Sequence, residues 1–121
     1  MKTCEFYIET GGSYEDAIHR MMSDALVRRF LLKFPKDTCF TGLKASFEAG
    51  LYDDAFDFAH SLKGLSGTLS LDRLTASVSA LTDALRPANR KAFSENALCR
   101  LMQQVEADYA LVLSVIPKLE Q

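Results

Sequence analysis

The sequence predicts an all-α protein, an antiparallel four-helix bundle with one or two short helices at its N-terminal side. Three observations carry this. Apolar residues recur at spacings of three and four along several stretches, as one buried helix face requires. No alternating apolar run bounded by turn residues reads as a strand. The prolines Pro35, Pro87 and Pro117 each stand where an apolar period stops, as helix terminators do.

Ser13, followed by Asp16, reads as an N-cap with an acidic first turn. It opens a short helix through Ile18 and Met21. A second helix carries Leu26, Phe30 and Phe34 on one face and ends at Pro35. Asp37 caps a third, with Phe40, Leu43 and Phe47 together and Gly50 suited to its C-terminal cap. The fourth starts near Tyr52. A fifth carries Leu71, Leu74, Val78, Leu81 and Leu85 and stops before Pro87. The last starts near Ser94 and carries Leu98, Leu101, Val105, Tyr109, Val112 and Ile116. Short connections between such helices favour antiparallel neighbours.

The chain of 121 residues fits one domain, 1–121, large enough to bury a core without metals or disulfides. Hydrophobic residues at 48% and charged residues at 25% place it among folded globular chains rather than disordered ones. A net charge of -2 with no basic stripe argues against nucleic acid as a partner. "MKTCEFYIETGG" lacks the apolar stretch of a signal peptide, and no segment suits a membrane helix. Cys4, Cys39 and Cys99 form neither a disulfide framework nor a metal-ligand spacing. The expectation is a cytoplasmic protein with reduced cysteines, no bound metal and no cofactor.

The stretch "AHSLKGLSGTLSLDRL", from Ala59, reads as helix yet holds Gly64 and Gly67. Each glycine costs a helix about 1 kcal/mol relative to alanine. On a helical wheel, Leu51, Ala55, Phe58, Leu62, Leu65 and Leu69 form the core wedge. His60 points about 180° from its centre. Gly64 leaves the neighbouring turn without a side chain, and Gly67 clears the turn after that. Lys63 brings a cation near whatever His60 carries, and Phe56 places an apolar ring towards solvent. Asp53 shares this outer face, and Asp57 stands at its edge. An exposed imidazole, open backbone, a cation and an apolar patch suggest a nucleophile approached by another protein. A phosphoryl anion on the imidazole would suit Lys63. The competing reading is a glycine-kinked helix with an incidental histidine.

The same stretch resembles the signature of histidine-containing phosphotransfer (HPt) domains: His, any residue, Leu, Lys, Gly, then small residues and a Leu. "EAGLYDDAFDFAHSLKG" resembles that family's acidic-Gly-x-aromatic-acidic entry to the histidine helix. "GGSYEDA" and "FLLKF" resemble its first two helices. The resemblance runs from Phe6 to Arg86, and beyond it the last helix matches only as an amphipathic helix. It implies a helical bundle with an exposed phosphorylated histidine. Such a domain takes a phosphoryl group from one receiver-domain aspartate and passes it to another. His60 would then be the phospho-acceptor, through Nε2. Lys63 would offset phosphate charge, and Gly64 would let the receiver close over the imidazole. Phe56, Asp57, Gly67 and Thr82 are the further candidates for meeting the partner.

Three positions depart from the family pattern. Ser70 stands where many members have a third glycine. Leu51 stands where many have Asp or Asn, which removes a capping side chain worth about 1 kcal/mol. Thr82 stands where some have a Gln that bonds the histidine's other nitrogen.

The resemblance implies a phosphocarrier rather than a self-sufficient enzyme, and the polar outer face of the fourth helix suggests a monomer. Its partners would be response-regulator receiver domains and a hybrid sensor histidine kinase, with Mg²⁺ on the receiver. No Gly-rich nucleotide loop supports autophosphorylation. Ser61 stands where histidine kinases usually have an acidic residue. The main alternative is a degenerate, non-phosphorylated HPt-like adaptor that binds a signalling partner through the same face. A hydrolase or lyase with His60 as base lacks a carboxylate at convincing spacing. Ile18, Met21 and Met22 read first as core and second as a rim of the docking surface. His19 reads as solvent-facing, and Arg28-Arg29 as a solvated face.

Overall fold

The computed structural model describes residues 1–120, which contain seven α-helices and no strand. Three are short: α1 (Thr3–Thr10), α2 (Tyr14–Met21) and α3 (Asp24–Lys33). Four follow: α4 (Cys39–Glu48), α5 (Tyr52–Thr68), α6 (Asp72–Leu85) and α7 (Glu95–Val115). Helix α5 packs on α4 and α6 through the short connections 49–51 and 69–71, and α7 packs on α6 after the longer segment 86–94 with its 3₁₀ turn Arg90–Ala92, so α4 to α7 form the predicted antiparallel bundle. Helix α1 packs on α7, and α3 meets the 3₁₀ turn Ile116–Glu120 that follows α7.

Several helix starts are written in side chains. Ser13, Ser23 and Ser94 each accept a hydrogen bond from a backbone N–H three residues on. The N-cap of α4 is Thr38 rather than Asp37 and makes no side-chain cap bond, but Asp37, one residue before it, accepts from the Cys39 N–H at 2.8 Å and so satisfies the first helical donor. Leu51 starts α5 without a side-chain cap. The prolines fall after the last α-helical turns of α3, α6 and α7.

Helix α1 is an addition to the short helices expected. Its signals are Gly11 at φ 74°, closing a C-terminal turn, and Phe6, Tyr7 and Thr10 on one buried face. The α6 seam falls as read, with Leu71, Leu74, Val78, Leu81 and Leu85 all buried; in α7 Leu98, Val105, Tyr109 and Val112 are buried, as is Ile116 just after it, but Leu101 is half-buried and Met102 takes the buried position beside it. The α3 seam is rotated. Val27, Leu31 and Phe34 are buried, while Leu26 and Phe30 are exposed. Arg28 is not on a solvated face. Its guanidinium donates to the Met1 carbonyl, to Thr3 Oγ1 and to the Leu119 carbonyl, tying both ends of the chain together. Met22 is 83% exposed, whereas Ile18 and Met21 are half-buried against the core.

The α5–α6 turn explains one departure from the family pattern. Ser70 has φ 54°, its N–H bonds to the Gly67 carbonyl, and the Leu71 N–H bonds to the Ser66 carbonyl. This is a Schellman turn with Ser70 in the left-handed position, which glycine occupies at least cost. Arg20 donates to the Gly67 carbonyl and to Ser70 Oγ, placing a cation at the negative end of α5. Ser70→Gly removes strain in exchange for one hydrogen bond. It is expected to raise stability by roughly 0.5–1 kcal/mol, read as a higher melting temperature.

The same turn is held by Tyr7, whose buried hydroxyl donates to the Leu69 carbonyl at 2.6 Å. Burial, with Asp72 and Tyr14 nearby, pushes this phenol above its ordinary value of 10.0. The folded state therefore favours the protonated phenol. That stability is present in full below pH 10.0, where the unfolded phenol also keeps its proton, and is lost as pH rises beyond it. Tyr7→Phe is expected to cost about 1 kcal/mol at neutral pH. It should also flatten the alkaline decline in a series of denaturant melts, and an unchanged slope would refute the assignment.

Candidate functional site

Helix α5 runs between α4 and α6, so its buried face is broad. Ala55, Ala59, Leu62, Ser66 and Leu69 form that face. This corrects the expected wedge. Leu51 is 55% exposed and Phe58 37% exposed, while Leu65 is half-buried. Small Ala and Ser side chains let the neighbouring helices approach closely, and the larger rings and leucines sit on the flank. Phe58 lies over Gly42 of α4, where an added Cβ would be 2.4 Å from the ring.

With the wheel recentred on the buried face, Gly64 points straight outward and His60 lies about 40° to the α6 side. His60 is exposed, and its side chain makes no hydrogen bond among the described residues. The Phe56 ring stacks on it, with centroids 6.2 Å apart and planes 23° apart. The Arg86 guanidinium lies 5.3 Å from the centroid of Phe56 and is itself 3.5 Å from Asp83. One turn beyond the histidine, a Cβ added to Gly64 would meet nothing within 4 Å. Lys63 is half-buried on the same side and makes no ion pair among the described residues.

The other candidates divide. Asp57 is exposed on this face and forms no hydrogen bond with His60. Asp53 is taken up by Arg90, at 2.9 Å. Gly67 is half-buried rather than clear, with Thr75 of α6 at 3.9 Å from an added Cβ and Arg20 on its carbonyl. Thr82 is withdrawn from the site. It is fully buried, and its hydroxyl donates to the Val78 carbonyl at 2.7 Å, so it neither faces a partner nor bonds the histidine. His19 is exposed on α2, as expected.

Past Gly64, on the other flank of α5, lies an apolar groove of about 430 Å³. Met21, Phe30, Phe34 and Leu65 line it, with Lys33, Lys36 and Asp37 also contributing. By sequence Met21 reads first as core and only second as a docking rim, and Phe30 reads as part of a core seam. Its exposure follows from the rotation of α3. Among the described residues no cluster of His, Cys, Asp and Glu could hold a metal ion, and no helix is long and apolar enough to cross a membrane.

The pattern of the Hpt domain matches residues 26–111, most of the chain. The chain belongs to the Hpt domain family. Comparison with curated proteins and with solved structures returned no match. The family match begins at α3 and takes in most of α7, so it extends further towards the C-terminus than the stretches around His60 suggested. It leaves α1 and α2 outside. Hpt domains serve histidine phosphotransfer in phosphorelays through receiver domains, as carrier modules rather than catalysts. The helical bundle of this chain agrees with that family.

Proposed function

We propose that this Hpt domain accepts a phosphoryl group on His60 from one receiver aspartate and passes it to another. The observation that carries the reading is the outward imidazole of His60 beside an uncovered Gly64. In the accepting step the imidazole lone pair attacks phosphorus in line. The N–P bond forms as the acyl-phosphate P–O bond breaks, and the electron pair leaves with the receiver's carboxylate. Charge stabilisation comes chiefly from the receiver, through its Mg²⁺ and its own cation. The neutral imidazole is the nucleophile.

The chain's own contribution is presentation. Leu62 and Leu69, both buried, hold α5 to the core, and the imidazole of His60 is left exposed. Lys63 stands where it offsets charge on the phosphorylated ring. Asp57 and the open Gly64 meet the receiver's active-site rim. The groove lined by Met21, Phe30 and Leu65 supports a docking surface wider than the histidine. Lys33 and Lys36 along it, set against Asp37, leave a net positive lining that suits an acidic receiver surface, a complementarity that raises the association rate more than the affinity. The protein acts as a cytoplasmic monomer in this reading.

The test is incubation with a panel of phosphorylated receiver domains. Acid-labile, alkali-stable phosphate should appear on this chain, and unphosphorylated receivers should discharge it. If receivers bind the α5 face but none labels it, the domain is an adaptor rather than a carrier.

A further inference from the structure

We infer that Phe56 is a positioning residue for His60, clamped in turn by Arg86, and that this clamp sets the rate of transfer through the imidazole. The inference rests on the phosphoryl-transfer reading of His60 and adds to it how the ring is held. An exposed histidine on a helix samples several χ1 and χ2 states, and each non-productive state subtracts from the nucleophile presented. Here no hydrogen bond to His60 restricts the ring among the described residues. What restricts it is a stack. Phe56 stands one turn before it, 6.2 Å between centroids, with planes 23° apart. Offset-stacked rings at that separation attract beyond their buried area.

Phe56 is itself fixed from the other side. It is half-buried against the core, and Arg86 lies 5.3 Å from its centroid, a cation–π geometry. The Arg86 backbone is fixed, while its exposed guanidinium is oriented by Asp83 and the Phe56 ring. It ends α6, its N–H bonds to the Thr82 carbonyl, Pro87 follows it, and Asp83 lies 3.5 Å from its guanidinium. The order is then α6 C-terminus, Arg86, Phe56, His60. On the side of His60 away from Phe56 comes Gly64, with nothing within 4 Å of an added Cβ. The imidazole thus has a wall one turn before it and an opening one turn after it.

The test compares wild type, Phe56→Leu, Phe56→Tyr and Arg86→Ala by two readouts. The first is NMR of the His60 ring protons and its side-chain couplings. Phe56→Leu should remove the ring-current shift and average the couplings over rotamers, and Phe56→Tyr should restore both. The second is the rate of transfer from a phosphorylated receiver at saturating donor. Phe56→Leu should slow it about five-fold, Arg86→Ala about two-fold, and Phe56→Tyr should recover the wild-type rate. Unchanged couplings in Phe56→Leu overturn the inference. So does an unchanged rate despite averaged couplings. If no receiver labels wild type, the function proposed for His60 fails, and the coupling measurement still decides whether Phe56 holds the ring.

Discussion

His60→Gln is expected to reduce acid-labile labelling by phosphorylated receivers to background while the protein stays folded. Glutamine keeps much of the size and polarity of histidine, but its amide nitrogen has no available lone pair. No N–P bond can form at that position. The fold has little to lose, because His60 is exposed and hydrogen-bonds to nothing among the described residues. The stack with Phe56 is the one interaction removed. Its loss should lower the melting temperature by about 4 °C or less. His19 serves as an internal control, being exposed on α2 without a stacked ring or a neighbouring open glycine. Circular dichroism confirms the fold, and phosphate retention after alkali treatment reports the chemistry. Label that persists in His60→Gln would place the acceptor elsewhere and end the carrier reading built on α5.

The two long C-terminal helices were legible because their cores are built from large side chains. Leu71, Leu74, Val78, Leu81 and Leu85 announce their face by size alone, and all are buried. Helices α3 and α5 were less legible because their apolar residues fill more than one face. In α5, which lies between α4 and α6, close approach also favours small residues, and hydrophobicity ranks these low. Ala55, Ala59 and Ser66 are buried in α5 while Leu51 and Phe58 are exposed. In α3, Val27 and Leu31 are inside while Leu26 and Phe30 are outside. Apolar residues on such a helix fill more than one face, and only the partner helices decide between them.

The candidate site was legible as a cluster but not as an arrangement. His60, Lys63 and Gly64 follow from helical spacing, because residues three and four apart share a face. Thr82 depended on the distance and facing between two helices, which sequence spacing does not contain. Its burial follows from its place beside Leu81 and Leu85 on the packed side of α6. Arg86 was invisible for the same reason. It reaches Phe56 across the α5–α6 interface from a helix end. Ser70 became intelligible only through its left-handed backbone, a property that no periodicity reports.

Gly64→Leu separates the folding role of this position from its functional role, because the two effects should run in opposite directions. A helix-interior glycine exchanged for leucine gains about 0.7 kcal/mol in helix propensity. Nothing stands within 4 Å of the new Cβ, so no clash offsets that gain. The variant should melt at the same temperature or higher. Transfer should nevertheless fall, because the new side chain occupies the space one turn beyond His60 that an approaching receiver must enter. If it blocks the near-attack geometry by even 1 Å, the rate drops about 100-fold. Gly64→Ala should lie between the two, with most of the stability gain and a smaller loss of rate. The receiver's affinity need not change in proportion, since the apolar groove on the other flank of α5 remains intact. The decisive comparison is therefore single-turnover transfer against binding by titration. A drop in rate with binding retained places Gly64 at the reacting centre. Normal transfer in a more stable Gly64→Leu would mean that the glycine serves neither the fold nor the approach of a receiver.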